Sequence, residues 1–221
     1  SVVAADLDGD RARAVAQEIT EAGRVAIGIA VDVREETSVR DAVRVATARF
    51  GELDVVLPNA GLVRPEVPLE RVTDADVDAM LDVNVKGVVR TLRATIPHIR
   101  NGGSIVVTSS TSGIIAHPGA AVYAATKIAL IGLARSLAAE LAPRRIRVNA
   151  VCPGGVDTPF LNAAYGDAAS DQISEYEARN PLGRIGQPDD VARAMLYLAG
   201  AHHVTGVALR VDGGDGLAGA I

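Results

Sequence analysis

Cysteine is almost missing from this chain: Cys152 is the only one among 221 residues. That excludes an intrachain disulfide and a thiolate metal cluster, and a single cysteine ending an apolar run reads as core filler before it reads as a nucleophile. Lysine is nearly missing too, occurring only as Lys86 and Lys127 in an arginine-rich sequence. There is no block of basic residues. A net charge of −5 and a pI near 5.4 give no positive field for nucleic acid or an anionic membrane surface. No apolar run reads as approaching the roughly 20 residues of a membrane-spanning helix, and the first residues lack the basic flank of a secretion signal. A cytoplasmic location is expected. His98, His117, His202 and His203 have no carboxylate or cysteine at metal-ligand spacing, so no metal is expected. Small-molecule chemistry remains, in one domain over residues 1–221, for which 48% hydrophobic content and 22 glycines suffice.

Short apolar runs with little alternation stand at 2–5, 25–31 and 53–57, and further strands read at 104–108, 147–152 and 207–211. Runs without alternation are the pattern of parallel strands covered on both faces. Helical patterns separate them at 11–22, 37–50, 73–99, 121–141 and 189–199, and Gly23 and Gly51 stand where the first two should close. Strand and helix alternate throughout, which predicts an α/β fold with a doubly wound parallel sheet. Within the helix beginning at Thr73, Val77, Met80, Leu81, Val88, Leu92 and Ile96 share one stripe, and Asn84 lies on it. An amide on a core-facing line must be hydrogen-bonded, either to satisfy itself locally or to serve a site. The 121–141 helix carries only Lys127, Arg135 and Glu140 as charges, so burial on both sides is expected, by the sheet and by a second subunit. Residues 158–187 read as one long irregular stretch, a candidate lid.

Chemistry concentrates on three residues. Tyr123 and Lys127 are one helical turn apart, and Ser110 ends a strand thirteen residues before the tyrosine. A phenol titrates near pH 10, and moving it to neutrality takes roughly 4 kcal/mol. An ammonium about 4 Å away at an effective dielectric near 20 supplies that much, and positions i and i+4 share a helix face. The serine hydroxyl is placed to bond a substrate oxygen. Such a pair also occurs by chance in helices with the lysine in solvent. Arginine, a planar fork, cannot replace a compact ammonium.

Taken together, Asp32-Val33, Asn59-Ala60-Gly61, Asn84 in Asn-Val-Lys-Gly, Ser110, Tyr123-x-x-x-Lys127 and Pro153-Gly154-x-Val156-x-Thr158-Pro159 resemble the short-chain dehydrogenase/reductase family over the whole length present. The resemblance implies a Rossmann-like sheet and an oxidoreductase acting on a secondary alcohol or ketone. It makes Tyr123 the general acid/base and has Ser110 position the substrate oxygen, with Ser109 as the neighbouring alternative. Lys127 would lower the tyrosine pKa and hold the nicotinamide ribose, and Asn84 would kink its helix and anchor a relay water. Asp6 corresponds to the acidic residue that accepts from the adenosine ribose, which favours NAD over NADP; Asp6 or Asp8 capping the next helix is the other reading. By the same resemblance Asp32 and Val33 face the adenine, Asn59, Ala60 and Gly61 pass beneath the cofactor, and Pro153, Gly154, Val156 and Thr158 lie at the carboxamide. A homo-oligomer, dimer or tetramer, is expected, and no nucleic acid or membrane partner. Ile114, Ile115, Val156, Phe160, Leu161 and Tyr165 suggest a mainly apolar substrate pocket.

One departure stands out. No Gly-x-x-x-Gly-x-Gly follows an early strand, so the family's first strand and diphosphate-binding turn are absent from these residues. Their position would be the centre of the sheet, between the first strand present and the run ending at Leu57. Two unpaired strand edges and exposed apolar surface are expected there. A non-catalytic homologue acting as an oligomeric scaffold or binding module is the alternative to an enzyme, and a dehydratase or epimerase on the same fold is a third reading.

Overall fold

The computed structural model describes residues 1–217. Strand β1 (Val2–Asp6) leads through α1 (Gly9–Glu21) to β2 (Ala26–Ala30), its parallel partner. The side chain of Asp8 caps α1 by accepting from the amides of Asp10 and Arg11. Gly28 lets α1 lie directly on β2, because a Cβ there would stand 2.4 Å from the backbone of Ala12. After α2 (Glu36–Phe50), the strands β3 (Leu53–Val56), β4 (Ile99–Thr108), β5 (Arg147–Pro153) and β6 (Ala208–Val211) form a second parallel sheet in that order.

The core explains why β4 and β5 are mainly apolar without a two-residue alternation. Ile105, Val107, Val148, Ala150 and Cys152 face α4 (Val88–Thr95) and α5 (Ala121–Glu140), whereas Val106 and Val151 face Leu198 on α8 (Pro188–Gly200). Both sheet faces are covered, so alternation has nothing to report. Cys152 is fully buried, as core filler should be.

Three expectations need correction. The 73–99 segment is not one helix: α3 (Asp74–Leu81) passes into a π-helical turn, Asp82–Gly87, before α4, and β4 begins at Ile99. Residues 158–187 are not irregular, because Pro159 opens α6 (Pro159–Tyr165) and α7 (Ala169–Arg179) follows, with Leu161, Tyr176 and Ile185 making a small core. Helix α5 is 20 residues long with a mean hydropathy of 1.3, enough by length and composition to span a membrane. Its buried Thr126, Lys127, Leu130, Ile131, Ala134, Leu137 and Ala138 pack inside the fold, which makes it a core helix. On the other side of α5, where a second subunit is expected, Ile128 is 49% exposed.

Among the described residues the parallel sheet is in two pieces. Neither β1 nor β3 has a strand on the edge that faces the other piece, and a cleft of about 1730 Å³ lies between them. Val2, Val55 and Leu57 are more than a third exposed there, as the unpaired edges predict.

Candidate active site

The strand ends and the π-helical turn converge on the cleft. Asn84 is fully buried within the π turn, a helical irregularity that recurs at functional sites. Its Oδ1 accepts from the Leu62 amide at 2.7 Å, and its Nδ2 donates to the Leu62 carbonyl at 2.8 Å and to Thr126 Oγ at 3.0 Å. The amide on the apolar stripe is thus fully engaged, and it clamps the loop that leaves β3. Asn59, Ala60 and Gly61 form that loop and line the cleft. A Cβ built on Gly61 would lie 3.5 Å from Lys127 Nζ and 3.8 Å from Asn84 Oδ1, so the three residues meet at one point.

Lys127 is 3% exposed, and its ammonium donates to the Thr108 carbonyl at 3.1 Å. Burial pushes its pKa down to about 8. Tyr123 lines the cleft half-buried, with its ring centroid 5.5 Å from Lys127 Nζ and 6.2 Å from the Phe160 ring. The expectation that the lysine depresses the phenol is corrected. Burial dominates and raises Tyr123 to about 12, with the Ser110 hydroxyl pulling the other way. The ammonium, 5.5 Å from the centre of the tyrosine ring, donates to the Thr108 backbone carbonyl, and desolvation sets the shift.

Ser110 and Ser109 have different surroundings. Ser109 Oγ donates to the Lys127 carbonyl at 2.8 Å, tying β4 to α5, whereas Ser110 is buried at the cleft wall and accepts from the Ser112 amide at 3.1 Å. Thr108 was not singled out by its sequence context, yet its hydroxyl donates to Asn59 Oδ1 at 2.8 Å while its carbonyl receives Lys127. Its place at a strand end two residues before Ser110 is the signal that was there to be used.

The remaining residues line the same cleft. Asp6 is exposed at the end of β1, and its Oδ1 accepts from the Asp8 amide at 2.8 Å. The Asp32 carboxylate is gripped by Arg34 through Nε and Nη2, at 3.0 and 2.6 Å, which holds it below the ordinary carboxylate range. Val33, Pro153, Gly154, Val156 and Thr158 all reach the cleft wall, with Thr158 Oγ donating to the Val156 carbonyl at 3.3 Å. Phe160, Leu161 and Tyr165 line it as expected, whereas Ile114 and Ile115 are not among its lining residues and Ile114 is 44% exposed. The pocket is also less apolar than its sequence suggests. Tyr165 donates to Glu66 Oε1 at 2.8 Å and its hydroxyl meets that of Tyr176 at 3.2 Å.

The enoyl-(acyl carrier protein) reductase family model matches residues 1–215. An uncharacterized oxidoreductase of Methylorubrum extorquens is 42% identical over 205 residues, 92% of this chain and 82% of that protein. A 3-ketoacyl-(acyl-carrier-protein) reductase from Brucella melitensis, solved with NADH, superposes with a TM-score of 0.88 at 36% identity and covers 97% of this chain and 87% of its own. A blue fluorescent protein from a metagenomic library, solved with NADPH, gives 0.84 at 33% identity over 93% of this chain and 82% of its own.

Proposed function

The chain belongs to the short-chain dehydrogenase/reductase family, and from that membership we propose that it moves a hydride between NAD(H) and a secondary alcohol or ketone, with Tyr123 as general acid/base. The observation that carries this reading is the meeting of Lys127 Nζ, Asn84 and the Gly61 backbone beside the Tyr123 ring, at the floor of an open cleft. A buried ammonium with one carbonyl partner is expensive to keep and has a use only where another polar group comes to it.

The residues present fit two parts of a dinucleotide. Lys127 and Tyr123 would hold the nicotinamide ribose, and the missing Cβ at Gly61 leaves that approach open. Asp6 would accept from the adenosine ribose, and its charge disfavours a 2′-phosphate, which supports NAD. Bound there, NADH supplies a hydride. On this chain's side, Ser110 orients the carbonyl oxygen and Tyr123 delivers the proton to it. A phenol lifted to about 12 keeps its proton at neutral pH but is a weaker donor than an ordinary one, so on this reading it would become more acidic when dinucleotide and substrate bind. Phe160 and Leu161 make an apolar wall for the substrate's carbon skeleton.

The diphosphate is the exception, since among the described residues no glycine-rich turn stands between β1 and β3 to offer backbone amides. Titration of these 221 residues with NADH, followed by fluorescence, is therefore expected to give an affinity weaker than micromolar. Micromolar binding would show that another element cradles the phosphates. The exposed apolar residues Leu81, Val89 and Ile128 around α3 to α5 support a homo-oligomer. Native mass measurement should find a dimer or tetramer, and a monomer at high concentration would sink that assignment.

A further inference from the structure

Resting on the reading of Tyr123 and Lys127 as the reacting pair, we propose that Thr126 is a positioning residue that fixes both through Asn84. Thr126 is fully buried, between the two in α5. Its hydroxyl donates to the Tyr123 carbonyl at 2.7 Å and accepts from Asn84 Nδ2 at 3.0 Å. The polarity of this chain is forced. The Leu62 amide needs an acceptor, so Asn84 turns Oδ1 towards it. That leaves Nδ2 facing Thr126, which must accept, and the only direction left for the hydroxyl proton is the carbonyl of Tyr123.

The Asn84 amide therefore ties the loop to the π turn, and the Thr126 hydroxyl ties both to α5 across 42 residues of sequence. The loop so held is the one whose Gly61 stands beside the Lys127 ammonium, so slackening it would disturb the backbone next to Nζ. Valine and serine divide the possible roles of threonine. Valine keeps the shape and removes the hydroxyl; serine keeps the hydroxyl and removes a methyl. If Thr126 only fills space, Thr126→Val is harmless and Thr126→Ser is the damaging change. If it positions the site, the order reverses, because valine leaves one of the two buried Asn84 Nδ2 protons without a partner, the other staying on the Leu62 carbonyl.

Amide hydrogen exchange on the full chain tests this whether or not the chain turns over. With valine, exchange in the segment containing Leu62 should quicken on the order of tenfold relative to the rest of the molecule, and serine should restore the protection. Ketone reduction at millimolar NADH gives the second readout: valine should lower kcat on the order of tenfold or more, with recovery in the serine variant. Unchanged exchange around Leu62 in Thr126→Val, or equal damage from serine and valine, would overturn the proposal. A wild-type chain that never turns over would instead defeat the oxidoreductase reading, with the exchange result still deciding the role of Thr126.

Discussion

Replacing Tyr123 by phenylalanine should slow ketone reduction by a factor on the order of a hundred to ten thousand, the range in which a positioned general acid acts. The fold should not notice. The ring keeps its place beside Phe160 and below Lys127, and the ties that hold the site together run through Asn84, Thr126 and Thr108 without using the phenol oxygen. Only proton delivery to the substrate oxygen is lost. Steady-state rates at millimolar NADH, alongside thermal melts of both proteins, make the check. A phenylalanine variant that melts normally yet turns over as fast as wild type would remove Tyr123 from the chemistry.

Replacing Lys127 by methionine should move two observables in opposite directions. Turnover should be lost, whereas stability at neutral pH should rise. Lys127 is held at about 8 against an ordinary 10.5, so between those values the unfolded chain binds a proton that the folded chain does not. The cost of burying the cation is in full force below pH 8 and is relieved as pH climbs to 10.5. A gap of that size corresponds to on the order of 3 kcal/mol. Wild-type stability should therefore climb through this window relative to the methionine variant, which has no charge to relieve; the Cys152 thiol, pushed up by burial from an ordinary 9, acts with the opposite sign in both proteins. Ionisation of Tyr123 acts later and with the opposite sign: its folded value near 12 exceeds the ordinary 10, so stability falls as pH rises from 10 towards 12. Denaturant unfolding from neutral pH to 10.5 distinguishes the outcomes. A methionine variant that is less stable at neutral pH, with the climb intact, would mean that the ammonium helps the fold and is not stored against it.

The parallel sheet was legible because most of the residues that β4 and β5 bury are apolar, with Ser104, Arg147 and Asn149 as the polar exceptions, and both faces are covered. Asn84 was legible as an anomaly, one amide on an apolar stripe. Its partner was not, since the Leu62 backbone carries no side-chain signature and is brought close only by the path of the loop after β3. The π turn hid for a related reason: it inserts a residue into the ladder without altering the stripe on either side. Spacing put Lys127 and Tyr123 on one face, but the sign of the tyrosine's shift depends on depth and on the Thr108 carbonyl that captures the ammonium. The α6 and α7 segment was misread because glycine, proline and short polar residues punctuate it, and its apolar residues form a small separate core around Tyr176.

The most direct test follows the hydride itself. The chain would be incubated with a simple ketone and millimolar deuterium-labelled NADH, and the alcohol examined by mass spectrometry. One deuterium on the former carbonyl carbon, formed by the wild type and not by Tyr123→Phe, is the expected result. No label in the alcohol from wild type, or equal labelling by both proteins, would contradict the assignment of this cleft to hydride transfer.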